Sequence, residues 1–305
     1  MRYHFHTADV FTDRAFGGNQ LAVFPDARGL DDRRMQLIAR EFNYSETVFV
    51  FPPEAAENTR RLRIFTPLAE LPFAGHPTIG TAHVLAAIGA IPLTGELTNI
   101  IFEEGVGPVR VAIRSLDDAP QFVALTAAKL PEYGPRPPHP DAIAATLSLE
   151  TSDLLLEGNG PQAISCGVPF LFVPVRDRRA IERARINGVH WERTLADFWA
   201  RDVFVFTYET ALPDSQVHAR MFAPSMGIVE DPATGAAATA LAGYLGSRDR
   251  TRDGTLRWVV EQGFEMGRPS LLEVEGVKAR DEIVEIRVGG SSVLVSEGTM
   301  TVPDS

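Results

Sequence analysis

A single cysteine, Cys166, in 305 residues excludes an internal disulfide and any cysteine-cluster metal site. Basic residues are in deficit: 29 Lys and Arg stand against 40 Asp and Glu, a net charge of −11 that argues against nucleic acid as a partner. No run approaches the roughly 18–20 apolar residues of a membrane-spanning helix. The opening MRYHFHTADVFT lacks the apolar core of a secretory signal, so a soluble cytoplasmic protein is expected. Neither GxGxxG nor the phosphate-loop pattern GxxxxGKS/T occurs, which sets aside nucleotide loops. His4 and His6 share a strand face but have no third ligand nearby, and neither a metal nor a cofactor is expected.

What the chain does have is an internal repeat. RIFTPLAELPFAGHPTIGTAHVLAAIG, from Arg63, and RMFAPSMGIVEDPATGAAATALAGYL, from Arg220, carry the same parts in the same order. Aligned on their polar-Pro-x-x-Gly segments, His76, Pro77 and Gly80 answer Asp231, Pro232 and Gly235, an offset of 155 residues (231 − 76). Self-similarity on that scale indicates two related domains, and the length agrees. Proline behind a polar residue reads as the first turn of a helix. The residues that follow are small and apolar on nearly every side, the pattern of a buried helix. Each half therefore holds a central helix wrapped by other elements, and its N-terminus offers N–H donors suited to a carboxylate or phosphate.

Other stretches repeat too. Gly167 and Pro174 answer Gly18 and Pro25, and FEMGRPSLLEVEG answers FEEGVGPVRVAIR at an offset of 162 (264 − 102). Between them, LDDRRMQLIAREFN reads as an amphipathic helix that stops at Asn43 and runs into a strand, SETVFVFPP. Glu46 stands at that junction, ahead of Val48, Phe49 and Val50, and is expected to be largely buried. Residues 1–125 make a first domain and 126–305 a second, with the proline-rich KLPEYGPRPPHPDA as the passage and the last strand able to return to the first domain.

NYSET with Glu46, FAGHPTIGTA with His76 and EDPATGAAATALAGYL with Asp231 resemble the signature segments of the PhzF phenazine-biosynthesis-like family. GGNQLAV and QGFEMGRPSLLEV add to the resemblance, which spans essentially the whole chain. It implies a diaminopimelate epimerase-like α+β fold: two pseudo-symmetric domains, each a mostly antiparallel, barrel-like sheet around a central helix. It also implies a homodimer with a small carboxylic-acid substrate between the domains. The chemistry implied is cofactor-independent isomerisation of the trans-2,3-dihydro-3-hydroxyanthranilate type. Glu46 would move the proton, His76 and Asp231 would hold and polarise the substrate, and Gly75, Thr234, Gly235 and Ala236 would bind it. Burial raises a carboxyl pKa, which suits Glu46 to act as base and then acid. Ala236 departs from the family, which commonly has serine there, and Gln20 stands where proline is usual.

Two other functions fit the same residues. An amino-acid racemase or epimerase of this fold needs a thiol at each central-helix N-terminus, and the sequence has none there. A catalytically silent small-acid binding protein would keep the pocket and lose turnover, and the missing hydroxyl at Ala236 is the feature that favours it.

Overall fold

The computed structural model describes residues 1–303 and divides into two compact units, Met1–Thr126 with the chain from Gly289 onward, and Ala127–Val288. The first unit begins with β1 (Arg2–Val10), β2 (Asn19–Phe24), α1 (Asp32–Phe42) and β3 (Glu46–Phe51). β4 (Arg60–Phe65), β5 (Glu70–Leu71) and the central helix α2 (Gly75–Ala87) follow, then the meander β6 (Leu97–Glu104), β7 (Gly107–Leu116) and β8 (Ala119–Thr126). The second unit contains β9 (Glu132–Tyr133), α3 (Pro140–Thr146), β10 (Gln162–Ser165), β11 (Pro169–Pro174), α4 (Arg178–Arg183) and α5 (Gly188–Thr194). It continues through β12 (Asp202–Thr207), β13 (Val217–Ala223), β14 (Ile228–Asp231), the central helix α6 (Gly235–Gly246), β15 (Gly254–Gln262) and β16 (Ser270–Ala279). β17 (Glu282–Gly290) leads out of it, and β18 (Ser292–Thr301) pairs antiparallel with β1 in the first unit. No helix among the described residues is long and apolar enough to cross a membrane.

In the first unit β1 and β2 form an antiparallel hairpin, and β3 lies parallel to β2 with Glu46 beside Leu21. A parallel neighbour cannot be reached by a tight turn, so α1 makes the crossover. Its ends follow from local chemistry: Asp31 accepts the Arg34 N–H at 2.8 Å, and Asn43 takes a left-handed conformation at φ 50°. Met35, Ile38 and Ala39 on its inner face pack with Phe24, Phe49 and Phe65. The second unit repeats the scheme, with β12 parallel to β11 and α4 and α5 in the crossover.

α2 has twelve of its thirteen residues buried, which leaves it no solvated face. It packs on β1, β2, β3, β7, β8 and β18, and α6 packs on β10, β11 and β16. Both are apolar all round because strands enclose them.

The structure corrects two of the internal alignments. α2 starts at Gly75 and α6 at Gly235, while Leu71 pairs with Ile64 and Asp231 with Met221. The working offset is therefore 160 (235 − 75), so Leu71 answers Asp231 and His76 answers Ala236. Pro77 lies inside the first turn of α2, whereas Pro232 precedes α6, so the two similar segments fall on opposite sides of a helix start. Asp231 is accordingly not the helix cap; Thr234 is. Likewise Glu104 closes β6 opposite Gly107 and Gln262 closes β15 opposite Ser270, so Glu104 answers Gln262 at an offset of 158 (262 − 104). The turn is residues 105–106 in the first unit and 263–269 in the second, and that longer loop misled the alignment.

Gly263 opens the long loop at φ +77°, and a Cβ there would meet Arg268 O at 2.5 Å and Pro232 O at 2.6 Å. Neither backbone atom can swing aside. Gly263→Ala is expected to lower stability by about 2–3 kcal/mol, from left-handed strain of about 1–2 kcal/mol and overpacking. Thermal melting checks this; a melting point equal to that of the wild type would contradict it.

Candidate active site

In the first unit the α1–β3 junction and the start of α2 bring two side chains together. Glu46 is the first residue of β3 and only 8% exposed, and its Oε2 lies 3.2 Å from Nε2 of His76. His76 is the second residue of α2, directly behind Gly75. Burial drives the His76 pKa down to about 3, against an opposing backbone hydrogen bond at Gln20, so the ring is neutral across the physiological range. The contact with Glu46 is therefore not an ion pair with imidazolium.

The other ring nitrogen, Nδ1, lies 3.3 Å from Nδ2 of Asn19, at the start of β2. A neutral imidazole has one donor and one acceptor. Asn19 and the Gln20 backbone thereby bear on which ring nitrogen carries the hydrogen, while the 3.2 Å approach of Nε2 to Glu46 Oε2 does not itself have hydrogen-bond geometry. Sequence reading passed over Asn19; its signal was its place in GGNQLAV, a stretch already tied to the family.

In the second unit Asp231 ends β14, 8% exposed, and its Oδ2 accepts a 2.5 Å hydrogen bond from the Thr234 hydroxyl. Gln262 holds this corner. Its Nε2 donates to Asp231 O at 2.7 Å and to Thr234 Oγ1 at 3.0 Å, and its Oε1 accepts the Thr234 N–H at 3.1 Å. Gln262 was not among the sequence candidates. Gly235 opens α6, and Ala236 is half-buried on a helix whose other residues are buried.

Neither N-cap residue, Ala74 of α2 or Thr234 of α6, caps its helix with its own side chain. Each helix start therefore keeps N–H donors and the positive end of its dipole for an anion. The sequence candidates fall into two groups: Glu46, Gly75 and His76 in the first unit, and Asp231, Thr234, Gly235 and Ala236 in the second.

The family model described as phenazine biosynthesis-like protein matches residues 8–298. The chain belongs to the PhzF family. A relative in Mesorhizobium japonicum, an uncharacterised isomerase, is 42% identical, the match covering 96% of this chain and 97% of the relative. The trans-2,3-dihydro-3-hydroxyanthranilate isomerase of Pseudomonas aeruginosa is 33% identical over 95% of this chain and 96% of its own length. Among solved structures, a PhzF-family protein of Bacillus anthracis superposes with a TM-score of 0.90 at 25% identity, covering 99% of this chain and 100% of that one. A hydroxyproline epimerase of Agrobacterium vitis shares the fold, at a TM-score of 0.66 and 15% identity over 99% of this chain and 93% of its own. The PhzF-type chain is an isomerase with the epimerase-like α+β fold, as its sequence led us to expect.

Proposed function

We propose that this isomerase relocates a proton on a small carboxylic acid without a cofactor, in the manner of the trans-2,3-dihydro-3-hydroxyanthranilate isomerases to which it is similar. The observation that carries the reading is the buried Glu46 held 3.2 Å from a neutral His76 at the start of α2. Glu46 takes the proton from one carbon and returns it to another. His76 and Asp231 hold and polarise the substrate, and the amides at Gly75 and Gly235 receive its carboxylate, with Thr234 and Ala236 beside them. Donors aimed at the charge that develops during abstraction stabilise it without reorganisation. A homodimer accompanies the reading, as the resemblance implies, together with the cytoplasmic location expected from the sequence.

A two-thiol racemase is disfavoured by the helix starts, which carry His76 and Ala236. Cys166 lies between β10 and β11, where burial pushes its thiol up to about 12. Such a thiol is protonated and a poor base.

The test is incubation with trans-2,3-dihydro-3-hydroxyanthranilate in D₂O, followed by absorbance and NMR. Isomerisation supports the proposal; the absence of both turnover and deuterium exchange would refute it for this acid. Ala236→Ser, which restores a hydroxyl at the half-buried helix position, is expected to raise kcat/KM about 2- to 10-fold, the worth of one hydrogen bond of about 0.5–1.5 kcal/mol. Turnover in that variant alone would support the silent binding protein instead.

A further inference from the structure

Thr78, on the first turn of α2, makes two short contacts through one hydroxyl. Its Oγ1 is 2.8 Å from Ala74 O and 2.7 Å from Glu104 Oε1. A hydroxyl has one hydrogen to give, and a peptide carbonyl can only accept. If the hydroxyl donates to Ala74 O, the bond to Glu104 must run the other way, from a carboxylic acid O–H to Oγ1. The remaining oxygen, Oε2, is buried with no hydrogen-bond partner among the described residues, a setting in which a full negative charge is costly.

We propose that Glu104 is a positioning residue whose proton sets the orientation of the Ala74–Gly75 peptide, and through it the anion-receiving start of α2 and the neighbouring His76. While the acid is neutral, the chain Glu104 to Thr78 to Ala74 O holds that peptide. Loss of the proton reverses the Thr78 hydroxyl, because a carboxylate is the stronger acceptor and outcompetes a carbonyl. Among the described residues Ala74 O then keeps only the Thr78 N–H, at 3.3 Å. The Ala74 carbonyl and the Gly75 N–H belong to one planar peptide, so a tilt of the first re-aims the second.

The second unit shows what the position is for. Glu104 answers Gln262, which holds the start of α6 with an amide that does not titrate near neutrality. One unit thus has a permanent brace and the other a brace that depends on a proton. Burial, opposed by the Thr78 hydrogen bond, pushes the Glu104 pKa up to about 8.

The charged side chains that line one pocket with Glu104 have partners of their own, although Nε of Arg61 is buried without one among the described residues. Arg61 on β4 pairs with Glu54 from the preceding loop, and Arg63 on β4 pairs with Glu70 on β5 and Asp32 on α1. Glu103, next to Glu104 on β6, accepts from the Glu54 and Ala55 amides and from Asn58. On α2 itself burial keeps both His76 and His83 neutral, with pKa values near 3 and 4.

The proposal rests on the isomerase reading only for what Gly75 receives, so the test avoids turnover. The ¹⁵N signals of the His76 ring, assigned with a His76→Gln variant, are followed from pH 6 to 10. His76 does not itself titrate there. The expected result is a His76 shift with a midpoint near pH 8 in the wild type. It should vanish in Glu104→Gln, which keeps the brace at every pH, and in Thr78→Val, which keeps the carboxyl and removes the link. A flat His76 signal in the wild type, or the same midpoint in Glu104→Gln, would overturn the proposal whatever the substrate proves to be.

Discussion

Glu46→Gln is expected to cut turnover by about 10²–10⁴-fold or more, the range attributed to a positioned general acid–base group. The amide has the size of the carboxyl and can still meet His76 across the 3.2 Å contact, so the fold and the neighbouring ring should stay as they are. What it cannot do is accept a proton from carbon and carry it to another. Because that interaction belongs to the transition state, kcat and kcat/KM should fall together while KM changes little. Loss of solvent deuterium incorporation into the product, at an unchanged melting temperature, would tie the defect to chemistry. A kcat within threefold of the wild type would remove Glu46 as the base. The neutral state of His76 sharpens the reading of pH profiles: with its pKa held down to about 3, it cannot give rise to a limb between pH 5 and 8.

The two central helices were legible because burial writes itself into composition. A helix enclosed by strands has no solvated face, so TIGTAHVLAAIG and ATGAAATALAGYLG are apolar in every direction. The Glu46 junction was legible for a related reason, an amphipathic helix running straight into an apolar strand. The internal register was not. Proline behind a polar residue marks a turn but does not say on which side of the helix start it falls, and His76 was set opposite Asp231 when its counterpart is Ala236. That correction gives the missing serine hydroxyl new meaning, since Ala236 occupies in α6 the position that His76 holds in α2. Asn19, Gln262 and Glu104 escaped notice because each acts through a partner distant in sequence: Asn19 and His76 are 57 residues apart, Gln262 and Asp231 31, and Glu104 and Thr78 26. No periodicity records such pairings.

Replacing His218 by leucine is expected to destabilise the protein by about 3–5 kcal/mol, the usual consequence of breaking a buried ion pair from one side. His218 lies on β13 with no exposed side-chain surface, Nδ1 at 2.6 Å from Glu261 and Nε2 at 2.8 Å from Glu265. Glu261 also takes the Ala211 and Leu212 amides, so it is fixed in place before the imidazole is considered. Burial by itself would lower the His218 pKa, but the hydrogen bonds its ring donates to both carboxylates, and their charges, outweigh it and bring the group to about 9. The ring is thus a buried cation between two anions, and leucine leaves both anions facing a hydrocarbon. Glu265→Gln should be milder, because Glu261 alone still balances the imidazolium. The pH dependence has a definite sign. A histidine whose pKa rises on folding from 6.5 to about 9 contributes its full stabilisation below pH 6.5 and loses it as pH climbs through 9. Glu104, raised from 4.5 to about 8, tilts stability the same way over a lower window, from pH 4.5 to 8. Melting curves between pH 6 and 10 should therefore show a wild-type decline whose part above pH 8 is missing from His218→Leu and retained in Glu104→Gln. A decline above pH 8 of the same size in His218→Leu would mean that His218 is not charged in the folded protein. The clamp reaches the candidate site through the strand it holds: Glu261 precedes Gln262, whose amide fixes Asp231 and Thr234, so a variant that loosens β15 should also lower kcat.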